Sequence, residues 1–466
     1  MLKSKKRQTR QKKRPLWERG AWALLLCLLI PHPALSQEPS AFSLREARDY
    51  ALQYNYDAQK SELDLLAARK KIRETIGIGL PQIGTSLGYT NNLELPTMLI
   101  PDFFGDPTEF IEIQFGTQHN ANLGLQVQQL VFNGSYLVGL QTSRIFEQLA
   151  AEGLERTRLD VVETVSQTYY LILVSQESQK IIQGNIENLE KTLYEIREFY
   201  KEGFVEETDA DVIQISVTAL KNSLQNLEKQ TETAYQLLKF QMGIDLSQEI
   251  RLSDGLEDII SAQDIEEALA GSFYLENNVD YRLIQTQEGL ARMNLKNEKA
   301  QYWPTVAAFY SLAWAAQRNS WNFFDFEHKW YRSQAIGFTL NLPLFKSGSQ
   351  KARVQQASIA LDQARKTVQQ VSQGLLLEEA QAKNALSAAF ENYVNVRDNM
   401  ELAQKVYDKT LIKYQEGLAS STDLTQANDR FLGTQSSYIQ AMAALLNAKN
   451  KLDRLHSGYE VTISEG

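Results

Sequence analysis

Residues able to do chemistry are few and scattered in this chain. His119, His328 and His456 lie far apart with no ligand spacing, which argues against a metal site. Cys27 is the only cysteine, and no nucleophile elbow, phosphate loop or H-E-x-x-H helix is present. These absences exclude the common catalytic and cofactor-binding designs, so no catalytic residue, cofactor or metal is expected. What recurs is a pair of decapeptides, "YKEGFVEETD" from Tyr200 and "YQEGLASSTD" from Tyr414. In each, a glycine, Gly203 or Gly417, can take the left-handed conformation that ends a helix, and a threonine, Thr208 or Thr422, is placed to cap the next one. Two helical hairpins are therefore predicted, each with a tyrosine before its turn and an aspartate after it.

The elements that would hold these turns are written twice. "DAQKSELDLLAARKKIRETIGIGLPQI" from Asp57 aligns with "DYRLIQTQEGLARMNLKNEKAQYWPTV" from Asp280, and "GLQVQQLVFNGS" from Gly124 with "GFTLNLPLFKSGS" from Gly337. Landmarks in the same order mark an internal duplication. Each copy reads as helix, strand, strand, long helix, turn, helix. Repeat 1 spans 37–243, with strands at 81–90 and 120–130, a long helix at 134–202 and a return helix at 208–243. Repeat 2 spans 264–458, with strands at 304–315 and 333–343, a long helix at 348–416 and a return helix at 422–456. A non-helical belt at 244–263 joins them, and 459–466 is a tail.

Ile83, Thr85, Leu87 and Tyr89 alternate with glycine and serine, and Leu123, Leu125 and Val127 with asparagine, glycine and glutamine. In the second copy Ile336, Phe338, Leu340 and Leu342 alternate likewise, while Phe309 interrupts the pattern of the strand before them. Strands of about ten residues with one apolar face have the length that crosses a bilayer at a barrel's tilt. Long loops at one end and short turns at the other fit the same reading. Four strands cannot close a barrel, since about eight is the minimum for one chain. The chain must share, and three copies supply twelve.

No proline interrupts 134–203 or 348–417, so each long helix runs on the order of 100 Å. Ile182, Ile186, Leu189, Leu193, Ile196 and Tyr200 step by four and three, a coiled-coil seam. The helix before the strands and the one after the turn together match the long helix in length.

The N-terminus is dense in Lys and Arg and leads into the apolar run "AWALLLCLLI" and then "PHPALSQ", which reads as a signal peptide over 1–36. Cys27 follows Leu26 inside that run, which argues against lipoprotein processing. The signal carries nine Lys/Arg against one acidic residue, a surplus of eight, so the formal −9 becomes −17 once it is removed. An acidic exported chain is a poor partner for nucleic acid.

In these strand-to-helix turns, decapeptides and helix lengths the chain resembles the TolC family of outer-membrane export channels, over nearly the whole length after the signal. That resemblance implies a mixed α/β membrane protein: a homotrimer with a twelve-stranded transmembrane β-barrel, four strands per chain, continued by a long periplasmic α-helical coiled-coil tunnel. It implies an exit duct for efflux or type I secretion, passive in itself, joined by a periplasmic adaptor to an inner-membrane pump of RND, ABC or MFS type. Gly203 and Gly417 would sit in the adaptor-contacting tips, and Tyr414 and Asp423 in the periplasmic gate. The family's second gate aspartate is replaced by Gln426, and its arginine by Ala419. From the residues alone, Asp423 equally suits a helix N-terminus. Two other classes compete: a periplasmic coiled-coil scaffold with a soluble sheet, and a periplasmic adaptor, which would carry one hairpin rather than a repeated half.

Overall fold

The computed structural model describes residues 40–101, 110–259, 262–325 and 327–456. The expected signal peptide and C-terminal tail lie outside these residues.

The chain opens with a short strand, β1 (Ser40–Phe42), and helix α1 (Leu44–Tyr54). Ser43 caps α1 in a reciprocal box with Glu46, whose carboxylate accepts from the Ser43 N–H at 2.8 Å. Where a single helix is expected before the strands, the structure has two. Asn55 turns extended (ψ 135°) and caps α2 (Tyr56–Ile78), its Oδ1 accepting from the N–H groups of Asp57 and Ala58 at 2.8 and 3.1 Å. Its Nδ2 donates to the Gln241 carbonyl at 2.7 Å, so the break is also the seat for the end of a distant helix.

Sheet formation follows the alternation of the sequence. Strands β2 (Gln82–Asn91) and β5 (His119–Asn133) pair antiparallel. The loop between them contains an unforeseen hairpin, β3 (Thr97–Pro101) with β4 (Phe110–Gln114). Helices α3 (Gly134–Lys201) and α4 (Glu207–Met242) then form the first hairpin. The belt brings β6 (Ile250–Leu252) parallel to β1. Expected to be wholly non-helical, it also carries a single helical turn, α5 (Leu256–Ile259). In the second half, α6 (Ala262–Ala270) and a 3-10 turn (Leu275–Asn277) precede α7 (Val279–Ala300), strands β7 (Thr305–Arg318) and β8 (Tyr331–Asn341), and the hairpin of α8 (Ser349–Gln415) with α9 (Ser421–Leu455).

Strand order is β2-β5-β7-β8, antiparallel throughout. The register places Ile83 opposite Val127, Val127 opposite Tyr310 and Tyr310 opposite Ile336. All the alternating apolar side chains therefore share one face. That face is uncovered, with Leu87 77% and Ile336 85% exposed, although a soluble sheet would bury it. The opposite face is lined by Gly84, Ser86, Asn122, Gly124, Gln126 and Ser311, among others. Phe309, which breaks the alternation, lies on this second face directly across from Gly337. A Cβ on Gly337 would come within 2.9 Å of its ring, so the missing side chain is what makes room for the aromatic.

The helical half is held at three levels. Near the belt, Val165, Tyr169, Ile172, Leu238 and Met242 form a core. The Tyr169 hydroxyl donates to the Phe42 carbonyl at 2.9 Å and to Asp254 at 3.1 Å, and Asp254 also accepts from the Leu44 N–H at 2.6 Å. Burial drives the Tyr169 hydroxyl well above its ordinary range. On the other side, Leu375, Leu386, Leu445 and Leu452 pack together, and Arg454 gathers Asp160, Glu163 and Asp280 at 2.7, 3.1 and 3.1 Å. Desolvation there raises the Glu163 carboxyl. The third core lies at the far tips. Among the described residues no helix is long and apolar enough to cross a membrane, a statement that leaves the strands untouched.

Candidate functional site at the helical tips

Both hairpins end in the same turn chemistry. At Gly203 φ is +81° and at Gly417 +72°. The glycine N–H groups donate to the carbonyls of Tyr200 and Tyr414, both at 3.0 Å. The next N–H groups, of Phe204 and Leu418, reach back to Phe199 and Lys413 at 2.9 and 2.8 Å. These are the paired bonds of a Schellman motif, which closes the orphan carbonyls of a helix end. Nothing stands within 4 Å of a Cβ built on either glycine, so backbone conformation alone sets the residue type. Phe204 and Leu418, one position on, are 78% and 77% exposed.

The return helices are capped two residues before the threonines. α4 is capped by Glu206, whose N–H donates to Asp209 at 3.1 Å, and Thr208 sits inside the first turn. α9 is capped by Ser420, and Thr422 likewise lies inside. Asp423 is the third residue of that helix and closes a capping box: its carboxylate accepts from the Ser420 N–H at 3.0 Å and hydroxyl at 2.7 Å, while its own N–H donates to Ser420 Oγ at 3.2 Å. The Ser420 hydroxyl and N–H hold the Asp423 carboxyl below the usual aspartate range. Gln426 is exposed, and Ala419 packs against the tip core.

Tyr414 and Tyr200 occupy equivalent positions but different surroundings. Tyr414 is buried with Leu189, Ile196, Ile213, Leu424 and Phe431, whereas Tyr200 is 44% exposed. Among the described residues the Tyr414 hydroxyl has no hydrogen-bond partner. Burial raises its pKa, and the Asp209 carboxylate pushes it further the same way. Asp209 is the residue that sequence reasoning passed over. It accepts a hydrogen bond from the Ser421 hydroxyl and so ties the first hairpin's return helix to the second's. Its position in "YKEGFVEETD" is that of Asp423 in "YQEGLASSTD", and the duplication is the signal that points to it. A second tie runs from Gln415 Nε2 to Glu195 at 2.9 Å. The tip is thus one packed unit of four helices carrying a buried tyrosine, two aspartates and two exposed apolar turns. Among the described residues no cluster of His, Cys, Asp or Glu is arranged to hold a metal ion.

The sequence profile of the outer membrane efflux protein family matches residues 47–243 and 272–458, most of both halves. The chain belongs to that family. It is an outer-membrane channel protein of an efflux system, extending into the periplasm, and this membership decides against the scaffold and adaptor readings. No curated protein sequence matches the chain. Among solved structures, this efflux protein is similar to the outer-membrane channel OprN, at 19% identity and a TM-score of 0.69, covering 89% of this chain and 90% of that one. The outer membrane protein VceC from Vibrio cholerae gives 15% identity and 0.69, over 88% and 95%. The CmeC outer membrane channel of Campylobacter jejuni gives 16% and 0.70, over 91% and 90%. At these identities the likeness is one of fold.

Proposed function

We propose that three copies of this efflux protein close their sheets into one twelve-stranded barrel and continue it as a helical tunnel, a passive duct gated at the hairpin tips. One observation carries the reading: an antiparallel sheet with an uncovered apolar face and two unpaired edges, β2 and β8. Lipid tolerates such a sheet only when its edges are paired, and four strands cannot pair them within one chain. β8 of one copy therefore meets β2 of the next. With the strands in the membrane, α3, α4, α8 and α9 of each copy wall the tunnel. An inner-membrane pump and a periplasmic adaptor supply energy and substrate, the adaptor meeting the exposed turns at Gly203 and Gly417.

In the gate, Tyr414, Asp209 and Ser421 fasten the two hairpins of one chain to each other. Asp423 brings one carboxylate per chain towards the narrow axis, where three like charges attract cations and raise one another's pKa. That repulsion opposes the lowering that Ser420 exerts within a single chain. Single-channel conductance in planar bilayers tests this assignment. Wild type is expected to give a small, cation-selective conductance. Asp423→Ala weakens the selectivity, while Tyr414→Ala, which empties part of the tip core, and Asp209→Ala, which releases the Ser421 hydroxyl, raise the conductance by loosening the fastening. Unchanged selectivity in Asp423→Ala removes that residue from the gate.

A further inference from the structure

In the loop between β7 and β8, Phe323 turns back onto the sheet. Phe323 packs edge-on against Tyr89, with centroids 5.8 Å apart, and the Arg318 guanidinium lies 5.9 Å from the Phe323 ring centre. Arg318 Nη2 donates to the His328 carbonyl at 3.1 Å, and the side chain is only 9% exposed. Tyr89, His119 and Arg318 belong to the apolar face of the sheet: Tyr89 is registered with Ala121, His119 with Arg318, and both rows are in step with Leu123 and Trp314. Phe323 therefore folds over the outer rim and away from the polar face. Trp321 touches Phe323 and Phe324 at 6.4 and 5.7 Å, and Trp321 and Phe324 are left 61% and 77% exposed.

Height along the sheet decides what these two rings meet. The apolar face runs from Val306 to Trp314, eight residue steps or roughly 20 Å of height for a strand tilted about 40°. Arg318 lies four steps further, about 10 Å higher. With an apolar band near 25 Å tall, that level is the headgroup layer. The loop is at the end of the sheet remote from the helices, hence on the cell exterior.

We propose that this loop is a lipid-facing foot, seating Trp321 and Phe324 in the headgroup region of the outer leaflet. The inference rests on the reading of the sheet as membrane-spanning. It is favoured by continuity with the lipid-facing surface and by the ring chemistry, since aromatic side chains settle at the boundary of hydrocarbon and water. The foot leaves the mouth of the duct uncovered by this loop, and its latch is Phe323 on Arg318.

Site-directed fluorescence tests it. The single cysteine of the sequence, Cys27, lies in the expected signal, so Phe324→Cys, Trp321→Cys and Leu87→Cys each give one labelling site for an environment-sensitive dye. The labelled protein without residues 1–36 is reconstituted in vesicles with nitroxide lipids, spin-labelled on the headgroup or along the acyl chain, or is exposed to iodide. The dye at 324 or 321 is expected to be quenched several-fold more by headgroup nitroxide than by iodide, and the dye at 87 by the acyl nitroxide. Adding Phe323→Ala to Phe324→Cys shifts quenching from lipid to iodide and leaves position 87 unchanged. Iodide quenching at both 324 and 321, with position 87 in lipid, overturns the foot and leaves the barrel standing. Absence of lipid quenching at 87 overturns the membrane sheet, and the foot with it.

Discussion

Asp423 holds the first turn of α9 through two hydrogen bonds from Ser420, and this makes the tip sensitive to acid in a definite direction. Within a single chain its folded pKa lies below that of the unfolded chain. The stabilisation is therefore fully present above the ordinary aspartate range and is lost as pH falls through the lowered value. Hydrogen exchange of the peptide around 418–432, corrected for intrinsic rates, is expected to show constant protection from neutral pH to the lower edge of the carboxylate range, and loss of protection below it. In Asp423→Asn that loss is present already at neutral pH; equal protection in the two proteins at neutral pH would remove the capping role. Gly203 and Gly417 were legible in the sequence because a left-handed φ is the property of a single residue. The caps lie two positions before the threonines because Ser420 with Asp423, and Glu206 with Asp209, have the spacing of a capping box. The link from Ser421 to Asp209 joins residues 212 apart, and no local pattern records a contact of that kind.

At the level of elements, alternation read the strands well because a uniform face must keep step along all four. The same register yields a paired test on neighbouring residues. Leu125 faces the apolar side between Thr85 and Leu312, and Gln126 faces the polar side between Gly84 and Ser311. Leu125→Arg is expected to cost about 2–4 kcal/mol, the price of a cation on the lipid face near mid-bilayer. Gln126→Arg leaves stability nearly unchanged and alters ion selectivity. Heat-modifiable mobility in mild detergent measures the first effect, and equal losses for the two variants would contradict the assignment of faces. What the sequence concealed was the break at Asn55. The residues around it keep a helical pattern, and the extended conformation is imposed from outside by the end of α4. There Gly243, at φ +74°, lies so close to the Tyr54 carbonyl that a Cβ would stand 2.2 Å from its oxygen. Asn278 repeats the arrangement, capping α7 while its Nδ2 donates to the Leu455 carbonyl at 3.1 Å. The hairpin β3–β4 was hidden for another reason, being an excursion within a loop that has no counterpart in the second half.

For the molecule as a whole, an open four-stranded sheet calls for more than one chain, and the proposed duct takes three. Light scattering on detergent-extracted protein, with the detergent contribution subtracted, is expected to give three chain masses. A monodisperse single chain would leave β2 and β8 unpaired and defeat the closed barrel. Closure is an expectation of the sequence, since strand count and lipid together call for it. The wiring of the two hairpins to each other was not, because it depends on Arg454 meeting carboxylates from both halves of the chain.

The two halves also differ in how a strand becomes a helix. β5 ends at Asn133 and α3 begins at the next residue, with Asn133 Oδ1 accepting from the Tyr136 N–H at 2.8 Å. β8 ends at Asn341 and α8 starts only at Ser349, through a connector holding Ser347 at φ +47° and Gly348 at +80°. The first half thus passes from strand to helix without a break, and the second through residues 342–348, which belong to neither element. In the proposed duct, a rotation of the helical tips would therefore be handed directly to a strand through α3 and only by way of an irregular connector through α8.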